Sequence, residues 1–215
     1  MFPVRRIGSS ASSEGVSVEG YAVFDVETTG FSPARGDRIV EIGVVLLHPS
    51  GVPEGEWETL LNPLRDVGPS WVHGIDDDEV QQAPLFGDVA GALAELFADR
   101  VLVAHNLAFD ARFLGAEFAE AGHDLGVDAR AGVCTMRYAR RVTGGTCTLE
   151  ACCERHGISQ RNAHRALHDA RATAQLLRVL SERDDIDRHF AEEMRRSLAI
   201  RWPLGLPTAS PLPRP

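Results

Sequence analysis

Apolar and polar positions along the chain predict a group of strands, followed by helices that alternate with short strands. In the first third, three apolar or alternating runs, each closed by a turn residue, have the length and composition of strands. These predicted strands are Tyr21–Val26, Arg38–His48 and Glu56–Leu61, and Val101–Ala104 predicts a fourth. The first three strands together have the pattern of an antiparallel meander.

Apolar residues that recur every three or four positions predict the helices. The predicted helices are Asp76–Gln81, Phe86–Ala98, Leu107–Ala121, Thr135–Val142, Thr148–His156, Ala166–Leu180 and Ile186–Trp202. We expect Asn106 to cap the third of these, because an Asn side chain can accept a hydrogen bond from the free N–H groups of a first turn. Strands followed by alternating strands and helices indicate an α/β fold around one sheet.

Two terminal segments differ in composition from the rest of the chain. Residues 1–18 are rich in Ser and Gly, so we expect a flexible N-terminal arm. Residues 203–215 are rich in Pro, which cannot continue the preceding helix. This tail could bind a partner as a polyproline II segment, but a frayed terminus is the expectation we favour. One domain over residues 19–181 and a C-terminal helix over residues 182–202 remain.

The overall composition is that of a globular protein. Of the 215 residues, 44% are hydrophobic and 25% are charged, which is typical of one soluble domain. No window approaches the roughly 18 consecutive apolar residues that a membrane helix needs. The first residues also lack the apolar core of a signal peptide. We therefore expect a cytoplasmic protein without a membrane partner.

Charge is distributed unevenly along the chain. The net charge of −9, taken alone, argues against a nucleic-acid partner. Residues 1–129 hold 7 Arg against 22 acidic residues, however, whereas residues 130–215 hold 15 Arg against 9. An acidic half beside a basic half suits a metal-dependent enzyme that acts on phosphates, although a solvated surface explains the same pattern. Charge therefore does not decide the function.

The four cysteines are Cys134, Cys147, Cys152 and Cys153. Without a signal peptide, four Cys in a chain of this length do not indicate a disulfide framework. The last three and His156 could be drawn as a zinc site, but they lack the usual pair of Cys separated by two residues. We expect apolar, half-buried helix positions and no zinc.

The first candidate for chemistry is the string F-D-V-E-T-T-G at residues 24–30. Asp25 and Glu27 lie two residues apart in a predicted strand, so both carboxylates point to one face of the sheet. Adjacent carboxylates at the end of a buried strand repel each other unless a cation neutralises them, and a hard divalent ion with oxygen ligands is the natural solution. An isolated D-x-E is common, however, so this pair indicates a metal site only if other motifs in the chain support it.

Two further acidic residues and a histidine follow later in the chain. Asp110 lies in the first turn of a predicted helix directly after a predicted strand, where it could face the same sheet edge. His164 and Asp169 are five residues apart, which on one continuous helix separates them by about 140°. For both to reach one site, His164 must lie on the loop before the helix that carries Asp169. His168 has the spacing of a zinc-binding pair with His164, but no Glu follows His164, and we favour a peripheral role for His168.

In this order and spacing, these motifs resemble those of the DEDDh 3′→5′ exonucleases, the DnaQ-like family that includes the proofreading epsilon subunit of bacterial replicative polymerases. The motifs are Asp25-x-Glu27, Asn106-x-x-Phe109-Asp110 and His164-x4-Asp169, supported by Val72-His73-Gly74-Ile75, Cys134-Thr135-Met136-Arg137 and Leu149-x-x-x-Cys153. The resemblance covers residues 20–180. It implies a ribonuclease H-like α/β fold, with a five-stranded mixed sheet that is flanked by helices and has an antiparallel second strand.

The resemblance also implies a role for each motif residue. Asp25, Glu27, Asp110 and Asp169 would hold two divalent ions, Mg²⁺ or Mn²⁺, and His164 would take a proton from the attacking water. The residues implied to contact the 3′-terminal nucleotide are Val26, Thr28, His73, Asn106 and Phe109.

Three functions remain open on the sequence. The first is a 3′→5′ exodeoxyribonuclease of proofreading or repair type, which acts on a single-stranded or frayed DNA 3′ end and has a DNA polymerase as a candidate partner. The second is the same reaction on RNA, because the sequence does not show whether the site contacts the 2′-hydroxyl. The third is a non-catalytic module bound to a polymerase, and the intact acidic residues count against it. The sequence gives no indication of the oligomeric state.

Overall fold

The computed structural model describes residues 18–160 and 164–214, and its centre is a five-stranded mixed sheet. The strands are β1 (Gly20–Thr28), β2 (Ile39–Leu47), β3 (Pro53–Leu60), β4 (Arg100–Ala104) and β5 (Val133–Cys134). In the order β3-β2-β1-β4-β5, the pairs β1–β2 and β2–β3 are antiparallel, and β1–β4 and β4–β5 are parallel. The predicted meander and mixed sheet are confirmed. The predicted arm over residues 1–18 falls outside the described residues except for Val18.

Helices flank the sheet in the order that the periodicity predicts. They are α1 (Ser70–His73), α2 (Asp77–Val80), α3 (Phe86–Phe97), α4 (Leu107–Glu120), α5 (Thr135–Val142), α6 (Leu149–His156), α7 (Ala166–Ser181) and α8 (Ile186–Leu198). All seven predicted helices are present: Thr135–Val142 has the predicted bounds, the other six differ at one or both ends, and the single turn of α1 is an addition. Within the described residues, no helix has the length and apolar character that a membrane crossing requires.

The two faces of β1 meet different layers of helices. Phe24 packs into a core that includes residues of α3 and α4, whereas Val23 on the opposite face packs into a core with residues of α5, α7 and α8. Because side chains alternate along a strand, Asp25 and Glu27 lie on the same face as Val23. Both carboxylates therefore point toward the layer that contains α7.

Helix α7 packs directly on the backbone of β2 at Gly43. A side chain at this position would place its first carbon 2.2 Å from Leu167 N and 2.5 Å from the carbonyl carbon of Ala166. Only a residue without a side chain permits so close an approach. Since Gly43 pairs with Asp25 in β1, the start of α7 lies next to the acidic end of that strand.

Helix α8 ends at Leu198, four residues earlier than its sequence pattern predicts. Proline disfavours a helical conformation for the residue before it, and Pro203 follows Trp202. Trp202 instead packs on Phe97 and Phe118, with ring centroids 5.1 and 5.4 Å apart. The chain thus leaves α8 to place an aromatic side chain in the core beside α3 and α4.

The C-terminal segment, residues 199–214, then runs along α3 and beside the edge strand β3. Thr208 Oγ1 accepts a hydrogen bond from a main-chain N–H of α3 at 2.8 Å. Beside β3, Leu212 N donates to Thr59 Oγ1 at 2.9 Å, and the Leu212 carbonyl accepts from Leu60 N at 2.8 Å. The frayed terminus that we expected for the Pro-rich tail is therefore wrong for its described part, because main-chain groups distant in sequence bind it.

Candidate active site

The carboxylates of β1 meet α7 and the preceding loop at one end of the sheet. Asp25 is half-buried and Glu27 is buried. Asp169 lies in the first turn of α7 and is also buried. A carboxylate oxygen of Glu27, one of Asp169 and a ring nitrogen of His164 all lie within 4.8 Å of one another. The structure therefore brings the first and third sequence motifs together.

His164 occupies the loop immediately before α7, as the spacing predicts. Its backbone is left-handed, with φ of 66°, and its N–H donates to Asp169 Oδ2 at 3.0 Å while its side chain is exposed. Asp169 Oδ1 accepts a second hydrogen bond from Gln160 Nε2 at 2.7 Å. His168 lies near Glu56 of β3, so the two histidines have different neighbours.

Asp110 reaches the site from the first turn of α4. It is buried, and its carboxylate accepts hydrogen bonds from its own N–H and from the Val26 N–H, which ties α4 to β1. The residue before α4, Asn106, has a left-handed backbone (φ 70°, ψ 47°), and its side chain makes no capping hydrogen bond. Our prediction that the Asn106 amide caps this helix is therefore wrong. Asn adopts the left-handed conformation more readily than most residues, and that is its local role here.

Burial raises the pKa of three of these carboxyls, and repulsion by neighbouring acidic groups adds to the effect at Asp25 and Glu27. Burial is the largest cause in each case, and it raises the pKa of Glu27 and of Asp110 to about 8. The pKa of Asp25 lies well above its ordinary value because the charges of Asp110 and Glu27 add to the effect of burial. Without a cation, Glu27 and Asp110 therefore retain protons near neutral pH. A bound divalent ion would release the protons, since it favours the carboxylate form.

A fifth acidic side chain, that of Glu41 in β2, lies beside the four predicted ones. It is 1% exposed and pairs directly with Glu27 across the two strands. Glu41 Oε2 accepts a hydrogen bond from Ala166 N at 3.0 Å, at the start of α7, whereas Oε1 has no partner among the described residues. Sequence analysis missed this residue. The available signal was a single acidic residue inside the otherwise apolar run of β2.

This set of donors fits a hard divalent cation. Carboxylate oxygens are the ligands that Mg²⁺ and Mn²⁺ prefer, and four acidic side chains from β1, α4 and α7 converge here. The unpartnered Glu41 oxygen and the raised pKa values show that negative charge is in excess. Among the described residues, two cations act on Glu41: Arg214, whose Nη1 lies 3.9 Å from Glu41 Oε2, and Arg165.

His73, which the resemblance assigns to the nucleotide, is held inside its own loop. It is 3% exposed, its Nδ1 accepts from Ile75 N at 3.1 Å, and its Nε2 lies 3.3 Å from the Val67 carbonyl oxygen. Burial lowers its pKa, which favours the neutral ring. With both nitrogens engaged, His73 shapes the loop, and a contact between its side chain and a nucleotide stays a prediction.

The other residues assigned to the nucleotide differ in how much they can offer it. The Val26 side chain is buried in the core and its N–H binds Asp110. The Thr28 hydroxyl donates to the Gly30 carbonyl at 2.6 Å. Phe109 is half-buried and packs on a neighbouring ring of α4. Asn106 is exposed, so its amide is open to a ligand.

A cleft of about 470 Å³ opens from the carboxylates toward α6 and the loop before α7, and both His105 and Gln160 line it. His105 Nδ1 lies 2.9 Å from Thr135 Oγ1, and its Nε2 lies 2.8 Å from the Cys147 carbonyl oxygen. Burial lowers the pKa of this ring. His105 therefore joins β4 to the start of α5 and to the loop before α6. Gln160, through its bond to Asp169, is a second site residue that sequence analysis missed.

Sequence comparisons agree with this geometry. The model of a protein family described as Exonuclease matches residues 22–177. DNA polymerase III subunit epsilon of Rickettsia felis is 30% identical over 168 residues, which cover 72% of this chain and 70% of that subunit. A protein of Mycobacterium tuberculosis that is named for both exonuclease and endonuclease activities is 37% identical over 174 residues, which cover 76% of this chain but 26% of that protein. The chain thus spans about a quarter of that relative's length.

Solved structures of nucleases have the same fold. Exonuclease X in complex with 5′ overhanging duplex DNA has a TM-score of 0.63 at 24% identity, covering 82% of this chain and 99% of that one. The nuclease domain of 3′hExo, a DEDDh family member bound to rAMP, has a TM-score of 0.67 at 17% identity, covering 77% of this chain and 92% of that one. The expected ribonuclease H-like α/β fold is confirmed.

Proposed function

The chain belongs to the DEDDh-type 3′→5′ exonuclease family, and on that premise we propose that it removes nucleoside 5′-monophosphates one at a time from DNA 3′ ends. The observation that carries this proposal is the meeting of Glu27, Asp169 and His164, whose ligand atoms lie within 4.8 Å of one another. The charges of Asp25 and Asp110 act on each other and on this group. Such a cluster suits metal-assisted hydrolysis of a phosphodiester.

In this proposal, Asp25, Glu27, Asp110 and Asp169 hold two divalent ions, Mg²⁺ or Mn²⁺. Bound there, such ions lower the pKa of an attacking water and neutralise charge that develops on the phosphate. The protein contributes orientation. Main-chain N–H groups of β1 and of the loop before α7 fix the carboxylates of Asp110 and Asp169, so the ligands are set before substrate arrives.

His164 is the residue that we propose as general base. Its main chain is anchored to Asp169 while its ring is exposed at the cleft, so the imidazole can approach a water beside the carboxylates. Imidazole accepts and releases protons at neutral pH, and general bases of this kind contribute about 10²- to 10⁴-fold to rate. An exposed ring can then pass the proton to solvent.

DNA is the substrate we favour. Relatives that are at least 30% identical and match about 70% of both chains include DNA polymerase III epsilon subunits, and a DNA polymerase partner is part of the same proposal. An exoribonuclease is the alternative, because none of the contacts among the described site residues selects for or against a 2′-hydroxyl. A non-catalytic role is disfavoured by the complete acidic set.

The test is a digestion of 5′-labelled single-stranded DNA, a mismatched-primer duplex and single-stranded RNA, with Mg²⁺, with Mn²⁺ and with EDTA. Asp25→Asn serves as the matched control, because it keeps the size of the side chain and removes a metal ligand. We expect a metal-dependent ladder that shortens from the 3′ end, is fastest on DNA and is absent from the control. A faster RNA ladder would transfer the proposal to the exoribonuclease, and silence on all three substrates with metal present would refute it.

A further inference from the structure

The guanidinium of Arg214 joins the C-terminal segment to α1 at the rim of the carboxylate cluster. Arg214 Nη1 donates to the His73 carbonyl at 2.8 Å, and Nη2 donates to the Gly74 carbonyl at 2.5 Å. The Arg214 side chain is 12% exposed. Two donors of one planar group thus bind two successive carbonyls at the end of α1, which is a geometry that Arg can provide and Lys cannot.

The same residue also contacts the two elements that frame the active site. Its Nη1 lies 3.9 Å from Glu41 Oε2, the buried carboxylate opposite Glu27. Its carbonyl accepts a hydrogen bond from Arg165 Nη2 at 3.0 Å, next to the general base that we propose. Arg214 therefore lies where α1, β2 and the start of α7 meet.

Helix α1 presents an aromatic side chain to solvent. It carries Trp71, whose side chain is 86% exposed. The loop before it runs against β1 so closely that a side chain at Gly68 would place its first carbon 2.2 Å from the Thr29 carbonyl oxygen. An exposed aromatic ring can stack on a base of a nucleic-acid strand, provided that its helix is held still.

Other contacts explain why the segment reaches this position. Two main-chain groups of the segment bind α3: Gly205 N donates to Glu95 Oε1 at 3.1 Å, and Ala209 N donates to the Asp88 carbonyl at 2.8 Å. Leu212 is fixed beside β3 by two further hydrogen bonds. The family match ends at residue 177, so this anchor comes from a part of the chain outside the matched region.

We propose that Arg214 is a positioning residue for the substrate: it ties the end of α1 to the buried carboxylate of Glu41, so that Trp71 on this helix is held in place to stack on a base of the substrate strand. This inference rests on the proposed nuclease function. Its consequence is that loss of the guanidinium weakens substrate binding and leaves the metal ligands in place.

The test compares Arg214→Ala and Arg214→Lys with Arg201→Ala, a matched control that removes an exposed Arg of the same segment. Rates are measured in the full chain against the concentration of a single-stranded DNA oligonucleotide at saturating Mn²⁺. For Arg214→Ala we expect KM to rise about tenfold, as for the loss of a charge-assisted hydrogen bond, with kcat changed less than about threefold. Arg214→Lys should recover part of the loss, and Arg201→Ala should match the wild type.

Two further readouts separate positioning from general damage. The Mn²⁺ concentration for half-maximal rate should not rise in Arg214→Ala, because the variant removes a cation from an acidic cluster. Hydrogen exchange of the amides of residues 70–75, measured without substrate, should accelerate at least about tenfold when their anchor is lost. An unchanged KM, unchanged exchange, or a joint loss of kcat and metal affinity would overturn the proposal.

The exchange measurement also separates this inference from the proposed function. A wild-type protein without nuclease activity refutes the proposed function and, with it, the substrate role of Arg214, whereas accelerated exchange in Arg214→Ala still identifies the anchor. An active wild type with Arg214→Ala kinetics equal to those of Arg201→Ala overturns the inference alone.

Discussion

Glu41 and Glu27 lie directly opposite each other in the antiparallel pair of β1 and β2, and both are buried. After burial, the charge of Glu41 is the largest cause of the raised pKa of Glu27. Like charges in opposed positions of a sheet are destabilising. The metal-free protein therefore keeps a proton on Glu27 at neutral pH, and a bound cation allows both side chains to be charged.

Glu41→Gln separates the charge of this residue from its hydrogen bond. The amide oxygen of Gln can still accept from Ala166 N, but the charge opposite Glu27 disappears. At about pH 9, above the pKa of Glu27, we expect the metal-free variant to gain about 1 kcal/mol in free energy of unfolding, the equivalent of somewhat less than one unit in the pKa of Glu27. We also expect weaker metal binding. Urea unfolding in EDTA measures the first effect, with Glu182→Gln on the surface as control. A net loss of stability would contradict the repulsion.

The raised pKa values predict a pH-dependent stability of the metal-free protein. Glu27 and Asp110 have a pKa of about 8 in the folded chain, against ordinary values of 4.5 and 3.8. Between these limits the folded chain retains protons that the unfolded chain has released, so each rise in pH favours unfolding. In EDTA we expect Tm to fall by at least about 3 °C from about pH 5 to about pH 8, and a saturating divalent ion to remove much of this fall. A Tm in EDTA that rises over the same window would show that the acids are already ionised in the folded chain.

His164 and His168 provide a matched pair for testing the general base. We expect His164→Ala to lower kcat about 10²- to 10³-fold, with a Mn²⁺ dependence within about threefold of the wild type, because it removes proton transfer and no carboxylate ligand. His168→Ala, near Glu56, should change kcat less than about twofold. Single-turnover rates at saturating Mn²⁺ measure both. If His164→Ala weakens metal binding as strongly as Asp169→Ala, the ring is a ligand instead of the base.

Asp25→Asn should change activity and stability in opposite directions. Turnover should fall at least about 10³-fold, because a metal ligand is lost. The metal-free variant should nevertheless unfold at a higher urea concentration, since one of several mutually repelling acids is removed. Equilibrium unfolding in EDTA and product release with Mn²⁺ test the two halves, with Asp99→Asn as the control. A variant that is both inactive and less stable would mean that Asp25 supports the fold itself.

Much of the fold follows from the sequence because its signals are local. Apolar runs and their periodicity locate the strands and helices, and the two-residue spacing of Asp25 and Glu27 assigns them to one face. The five-residue spacing of His164 and Asp169 also places His164 on a loop, where the structure has it. Each of these inferences needs only the geometry of one strand or one helix.

The rest depends on contacts between residues that are distant in the chain. Glu41 lies near the active site only because β2 pairs with β1, and Gln160 only because its loop returns to α7. The path of the C-terminal segment is set by main-chain groups of α3 and β3 and by the core position of Trp202. Composition describes such a segment as a Pro-rich tail and carries no information about its partners. Our prediction for Asn106 was wrong for a related reason. Asn is common before a helix both because its side chain can cap the first turn and because it tolerates a left-handed backbone, and the sequence does not distinguish the two.

Because Gly43 has no side chain, it lets α7 lie in direct contact with the backbone of β2. Even a methyl group there would meet the backbone of Leu167 and Ala166 at less than 3 Å, and backbone cannot turn aside as a side chain can. The relief available is to lift α7 from the sheet, which moves Asp169 away from Asp25 while both helix and sheet keep their own hydrogen bonds. A protein altered in this way would remain folded and lose the separation between Asp25 and Asp169 that the proposed pair of ions requires. The distance between the carboxylates of β1 and α7 therefore depends on a residue that carries no functional group.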